Sequence, residues 1–103
     1  MLTIKQNDNR NAIEATLIKN DKPVDLTGCD VFISISDKIY RGNCIIESEE
    51  EGQVFYPIDQ SVTQSTGFFN YEFIVKYQDG REETFPNNGY LKLQVVRRIK
   101  GAD

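Results

Sequence analysis

Two cysteines, Cys29 and Cys44, are the side chains in this sequence with the most reactive chemistry. A catalytic thiol needs a neighbouring base, most often His, and the sequence contains no His. Asp37 and Lys38 precede Cys44, but they do not make a recognisable thiol-enzyme arrangement. Two cysteines also fall short of the four ligands of a structural zinc site. We therefore expect neither thiol catalysis nor a zinc centre.

The same cysteines could instead form a disulfide, which would close a loop of about 15 residues. Residues 1–6 lack the apolar core of a signal peptide, so we expect no export signal and reduced thiols. The sequence leaves the disulfide question open. We interpret Cys29 and Cys44 as small hydrophobic fillers.

The acidic run ESEEE at residues 47–51 is the other group that could do chemistry. Paired carboxylates hydrolyse glycosides, and carboxylate oxygens bind calcium. However, such a run in a loop is typical of a solvated face, and the Asp-x-Asp-x-Asp-Gly calcium spacing is absent. No glycine-rich phosphate loop is present either. We predict no catalytic residue, no metal site and no cofactor, and hence no enzyme.

The charge balance argues against two further classes of partner. Twelve Lys and Arg against sixteen Asp and Glu give a net charge of −4. Nucleic-acid binding needs a basic patch, and the C-terminal cluster of Arg97, Arg98 and Lys100 is more typical of a solvated tail. No apolar run approaches the ~20 residues of a membrane-spanning helix. We therefore predict no nucleic-acid partner and no membrane partner.

Short alternating segments punctuated by turn residues dominate the 103-residue chain, which fits one domain. They are residues 12–18, 29–36, 39–40, 44–46, 53–58, 68–77, 81–85 and 90–96. Residues 59–66 are polar and fit a loop or one helical turn. The pattern predicts an all-β, immunoglobulin-like antiparallel β-sandwich of about 7–9 strands. We place the domain at residues 1–97, with 98–103 a C-terminal tail or the start of a linker.

The clearest alternation runs through residues 68–77. It places five aromatic or β-branched residues on one face, namely Phe69, Tyr71, Phe73, Val75 and Tyr77. Asp79-Gly80 follows and is the strongest short hairpin signal, because a type I′ turn needs positive φ at both central residues. We expect this hairpin to return through residues 81–85.

Three stretches in this order resemble a known family: DKPVDLTG at residues 21–28, TGFFNYEF at 66–73, and YQDGREETFP at 77–86 followed by NGY at 88–90. The sequence resembles the N-terminal domain of baseplate upper proteins from siphophages of Gram-positive bacteria. The likeness spans about residues 4–96 and is poor over 38–53.

The resemblance implies an immunoglobulin-like structural or adaptor module of the phage tail baseplate. Such a module holds the host-recognition apparatus on the tail hub. It further implies docking onto other tail proteins, with the distal tail protein as the expected partner, and a homo-oligomer as an option. The location would be the virion tail tip, after assembly in the host cytoplasm. The sequence leaves open whether the chain stands alone or is a piece of a longer protein.

Four apolar residues lie opposite the core faces of their strands and are our candidates for a partner interface: Phe32, Phe55, Phe68 and Ile74. A contiguous apolar patch would mark an interaction surface. The alternative is that a strand is out of phase or that a bulge turns some of these side chains inward.

The alternative function is an adhesion or carbohydrate-binding β-sandwich module. Sugar platforms favour exposed aromatic side chains, above all Trp, and the sequence contains no Trp. Tyr40, Phe55 and Phe68 are the substitutes that the sequence offers.

Overall fold

Eleven β-strands and one short helix make up the part of the chain that the computed structural model describes, residues 1–99. In chain order they are β1 (Leu2–Lys5), β2 (Ala12–Thr16), β3 (Ile18–Lys19), β4 (Lys22–Pro23), β5 (Asp30–Ile35), β6 (Ile39–Asn43), β7 (Ile45–Ser48), β8 (Gln53–Pro57), α1 (Gln60–Thr63), β9 (Gly67–Lys76), β10 (Glu82–Phe85) and β11 (Leu91–Val96). The predicted all-β class is confirmed. Of the predicted tail at residues 98–103, the part from residue 100 onward lies outside the described residues.

The strands form a six-stranded sheet, a three-stranded sheet and a two-stranded hairpin. The six-stranded sheet has the order β1-β11-β9-β5-β6, and β10 also pairs with β9. The three-stranded sheet has the order β2-β8-β7, and β3 pairs with β4. The arrangement is that of a β-sandwich and is compatible with the immunoglobulin-like architecture.

Strand β9 is the centre of the six-stranded sheet, and its alternation builds the core. Three cross-strand pairs with β5 are buried: Val31 with Val75, Ile33 with Phe73, and Ile35 with Tyr71. The inward face predicted for this strand is therefore confirmed at Tyr71, Phe73 and Val75. Large apolar pairs on one face are the units that stabilise a sheet, and full burial of a side chain such as Phe73 contributes roughly 1.5–3 kcal/mol.

The smaller sheet and the helix close the other side of the same core. Ile13 on β2 and Val54 on β8 point inward, and Val62 on α1 is fully buried. Asp59 caps α1, because its side chain accepts a hydrogen bond from the Ser61 backbone N at 3.0 Å. Of the two possibilities for residues 59–66, a loop or one helical turn, the structure shows the helical turn. Among the described residues, no helix is long and apolar enough to cross a membrane.

Strand β1 departs from a purely antiparallel sandwich. It pairs in parallel with β11 at the edge of the six-stranded sheet, with Leu2 opposite Leu93 and Ile4 opposite Val95. Parallel pairs need a long connection. Here nearly the whole chain lies between the two strands, so one strand from each end of the domain completes the sheet.

The hairpin predicted at Asp79-Gly80 is present, but the prediction of a type I′ turn is wrong. Only Gly80 in this turn has a positive φ, of 86°. The Tyr77 backbone N donates to the Arg81 carbonyl at 2.8 Å, and the Gly80 N donates to the Tyr77 carbonyl at 2.9 Å. This is a three-residue loop with one left-handed glycine. Asp79 instead uses its carboxylate to accept a hydrogen bond from the Arg81 N at 2.9 Å.

Candidate partner interface

Three of the four candidate residues lie on the solvent side of the six-stranded sheet, which we call the outer face. Phe32 on β5 and Ile74 on β9 are direct cross-strand partners. Phe68 shares the same face of β9, six residues earlier and therefore roughly 20 Å away along the strand. Phe55 lies on the opposite sheet, between Glu14 and Ile45. The structure therefore joins Phe32 with Ile74 and keeps Phe68 and Phe55 apart from them.

The four residues also differ in exposure. Phe68 is 68% exposed, whereas Phe32, Phe55 and Ile74 are half-buried. The cross-strand neighbour of Phe68 is Gln94 on β11, which in turn neighbours Thr3 on β1. Phe68 is thus a large apolar side chain that stands on a polar part of the outer face.

An ion pair covers the Phe32 ring and helps to explain why Phe32 is not fully exposed. Arg41 on β6 donates two hydrogen bonds to the Glu82 carboxylate on β10, at 3.0 and 3.2 Å. Strands β5 and β9 lie between β6 and β10, so the pair crosses the outer face. The guanidinium carbon lies 4.9 Å from the centre of the Phe32 ring, within cation–π range. We call this ion pair the Arg41–Glu82 clamp.

The clamp changes the acidity of both of its groups. Hydrogen bonding from Arg41 lowers the pKa of Glu82 below its ordinary value, because the bonded form of the carboxylate is the charged one. The same hydrogen bonds raise the pKa of Arg41. Both groups are therefore held in their charged forms over the apolar pair beneath them.

A second polar cluster ties the β3–β4 hairpin to the six-stranded sheet. Glu83 on β10 accepts hydrogen bonds from Lys19 Nζ at 2.6 Å, from the Tyr77 hydroxyl at 2.8 Å and from Asn87 Nδ2 at 3.3 Å. The Lys19 hydrogen bond is the main reason that the pKa of Glu83 is lowered. Burial, assisted by the bond to Glu83, raises the pKa of Tyr77 to about 12.

The cysteines are both free and half-buried, and they line one surface cavity together with Val31 and Phe32. Burial raises the pKa of the Cys44 thiol to about 12, and burial followed by the charge of Asp25 raises that of Cys29. Thiolates are therefore scarce at neutral pH, which disfavours nucleophilic chemistry. Within residues 1–99, no group of three or more His, Cys, Asp or Glu side chains is placed to hold a metal ion.

The sequence reasoning missed a polar groove on the outer face. The groove has a volume of about 210 Å³ and is lined by Ser34, Ser36, Asn70, Tyr71, Glu72 and Tyr90. Tyr90 was interpreted only as the start of the last strand, yet it is 64% exposed. The turn signal Asn87-Asn88-Gly89 just before it was the available hint, because connecting segments run over the protein surface.

Comparison with known proteins agrees with this architecture. The sequence model of the BppU N-terminal domain matches residues 2–88. Among solved structures, the N-terminal domain of phage TP901-1 ORF48 is similar, with a TM-score of 0.73 and 18% identity; the match covers 92% of this chain and 83% of that chain. At that identity, the similarity shows the fold. No curated protein sequence matches the chain.

The family match spans most of the chain, from β1 through the turn that follows β10. The fold is similar to that of a domain from a phage protein, and in this chain it has a parallel β1–β11 edge. The chain therefore belongs to the family of BppU, or baseplate upper protein, N-terminal domains, and it is a structural domain of a phage tail baseplate.

Proposed function

We propose that this domain is a non-catalytic adaptor that docks onto other tail proteins at the tail tip and helps to hold the host-recognition apparatus. The observation that carries the proposal is Phe68, a phenyl ring that is 68% exposed in the sheet around which the core is built. Aromatic anchors that become desolvated on binding carry much of the energy of protein interfaces. Phe68 is therefore the candidate anchor on this face.

The outer face suits docking for a second reason, because part of it is organised before binding. The Arg41–Glu82 clamp holds the guanidinium over the Phe32 ring, so this part of the face is organised before any partner arrives. A preorganised surface loses less conformational entropy on binding. Repeated copies of the domain in one particle would add avidity to each single contact.

The expected partner is the distal tail protein of the same phage, and a homo-oligomer on that hub is the accompanying option. Assembly in the host cytoplasm is compatible with free cysteines, since disulfides are rare in reducing compartments. A stable interface of standard size would bury about 800 Å² on this domain, an area that includes Phe68 and its neighbours on β11 and β1.

The test is the affinity of single variants for the distal tail protein from the same genome, measured by calorimetry. Phe68→Ser is expected to weaken binding by about tenfold or more while leaving the fold intact. Ile45→Ser is the matched control, because Ile45 is 48% exposed on the opposite sheet. Equal affinities for Phe68→Ser and the unmodified domain would contradict docking through the outer face.

Ile74→Ser is a less direct test, although the sequence alone favours it equally. Ile74 is half-buried opposite Phe32, so its replacement removes packing as well as surface. Any loss of binding by Ile74→Ser must therefore be compared with its loss of stability.

A further inference from the structure

The groove beside Tyr90 has a chemistry that protein docking does not require. Its floor consists of two cross-strand rows on the outer face. Ser34 is the cross-strand partner of Glu72. Ser36 is fixed to Asn70 by two hydrogen bonds, from the Ser36 N to the Asn70 carbonyl at 2.9 Å and from the Asn70 N to the Ser36 hydroxyl oxygen at 3.0 Å. The floor is therefore rigid and polar.

Much of the hydrogen-bonding capacity of this floor is unused. Within the part of the chain that the structure describes, the side-chain amide of Asn70, the carboxylate of Glu72 and the hydroxyl of Tyr90 make no hydrogen bond or ion pair with another residue. Glu72 is moreover half-buried and contributes to the lining of the groove. These three groups offer both donors and acceptors within one groove.

One wall of the groove is aromatic. Tyr90 directly precedes β11, whose first residue Leu91 pairs with Tyr71 of β9, and this register sets the Tyr90 side chain beside the row of Ser34 and Glu72. Tyr90 is 64% exposed, so its ring presents apolar surface and a polar tip. The groove thus combines a hydrogen-bonding floor with an aromatic wall.

This combination selects among ligand classes. An anion is disfavoured, because Glu72 is the only charged side chain in the lining. A divalent cation would find one carboxylate where hard cations take six or more oxygens. A wholly apolar ligand would leave the floor unsatisfied. A sugar ring fits, because its hydroxyl groups can donate to Glu72 and exchange hydrogen bonds with Asn70 while its C–H face packs on Tyr90.

We propose that this groove binds a neutral pyranose ring, with Tyr90 as the stacking platform and Asn70 and Glu72 as the hydroxyl-binding residues. The proposal goes beyond the docking role, since Phe68 is not part of the groove lining. With its volume of about 210 Å³, the groove accommodates a single ring of an oligosaccharide, so affinity for free monosaccharides is expected in the millimolar range.

The test is an amide NMR titration of the whole chain with glucose, galactose, rhamnose and N-acetylglucosamine in turn. At least one of these sugars is expected to give saturable shifts centred on Ser34, Ser36, Asn70, Glu72 and Tyr90. Glycerol, a polyol without a ring, and choline, a cation that would use only Glu72 and the Tyr90 ring, are expected to give none.

Two variants and one control sharpen the result. Tyr90→Ala and Glu72→Gln are each expected to weaken sugar binding by about tenfold, with an unchanged pattern of dispersed amide signals. Phe68→Ser removes an aromatic ring that is 68% exposed outside the groove and is expected to leave sugar binding unchanged.

Three outcomes would overturn the proposal: no saturable shift with any of the four sugars up to about 50 mM, an affinity for the sugar that is unchanged in Tyr90→Ala, or stronger binding of choline than of the sugars. The docking role is tested separately from sugar binding. Tyr90→Ala is expected to keep its affinity for the distal tail protein. Phe68→Ser is expected to keep its affinity for the sugar.

Discussion

The Arg41 guanidinium on β6 and the Glu82 carboxylate on β10 meet across two intervening strands, through two hydrogen bonds of 3.0 and 3.2 Å. The ring of Phe32 lies under this contact, 4.9 Å from the guanidinium carbon. The two charged residues are 41 positions apart in the sequence. Their contact organises an outer face that the surrounding strands otherwise leave open.

The clamp is expected to lose its effect at low pH. The pKa of Glu82 is lowered in the folded state, so its contribution is present above the ordinary value of 4.5 and is lost as the pH falls through the lowered value. A double-mutant cycle of Arg41→Ala and Glu82→Gln, measured by urea unfolding, should show favourable coupling at about pH 7 and a smaller coupling at about pH 3. The exposed Arg81–Asp79 pair at 3.6 Å is the control and should show no coupling at either pH. Equal coupling of Arg41 and Glu82 at both pH values would show that the charge of Glu82 is not the cause of the coupling.

Tyr77 is expected to make the domain sensitive to alkali. Its pKa is raised from 10.0 to about 12, so the stability linked to its protonated hydroxyl is present below pH 10 and is lost as the pH rises towards 12. In Tyr77→Phe, the free energy of unfolding should fall less steeply between these two pH values. Burial also raises the pKa of Tyr56 and of Tyr71, so ultraviolet titration should show one late-titrating tyrosine fewer in the variant than in the unmodified domain. An unchanged titration curve in Tyr77→Phe would contradict the assignment.

Gly52 and Gly80 both have positive φ, of 66° and 86°, but they should differ in their tolerance of a side chain. A Cβ at Gly80 would meet nothing within 4 Å, so Gly80→Ala should cost only the backbone strain of about 1–2 kcal/mol. A Cβ at Gly52 would lie 2.7 Å from the Leu17 carbonyl oxygen and 2.9 Å from that of Val24. Gly52→Ala should therefore be clearly the more destabilising change in urea unfolding. Equal costs would mean that the chain around Gly52 can move aside.

The two thiols should react slowly and in a fixed order. Burial raises the pKa of Cys44 to about 12, and Cys29 experiences a smaller burial effect supplemented by neighbouring carboxylates. In timed alkylation with iodoacetamide under native conditions, followed by mass spectrometry, Cys29 should be modified before Cys44. In denaturant the two rates should become similar, which is the internal control. Faster modification of Cys44 in the folded domain would contradict its greater burial.

The inward faces of the strands could be predicted from the sequence because period-two alternation is a local property. Val31, Ile33 and Ile35 are buried as predicted, and Phe32 on the same strand faces outward. The parallel pairing of β1 with β11 could not be predicted in this way, since it joins residues at opposite ends of the domain. The Asp-Gly pair alone also does not determine the turn type. The Asp79 side chain accepts a hydrogen bond from the Arg81 N, which lies beyond the pair.

The candidate interface was likewise predictable from the sequence only in its local features. Alternation correctly placed Phe32, Phe68 and Ile74 on one face, but their distances and exposures depend on register and on long-range contacts. The Arg41–Glu82 contact that covers Phe32 spans four strands. The Tyr90 groove likewise draws its lining from three separate segments of the chain, none of which carries a binding motif by itself.

Size-exclusion chromatography with light scattering tests the adaptor role most directly, on the domain alone and mixed with the distal tail protein from the same genome. If the domain is an adaptor, the mixture co-elutes as a complex of defined mass, and that mass gives the number of copies. The complex is lost with Phe68→Ser but not with Ile45→Ser. A domain that elutes as a monomer in the presence of the tail protein would contradict the account.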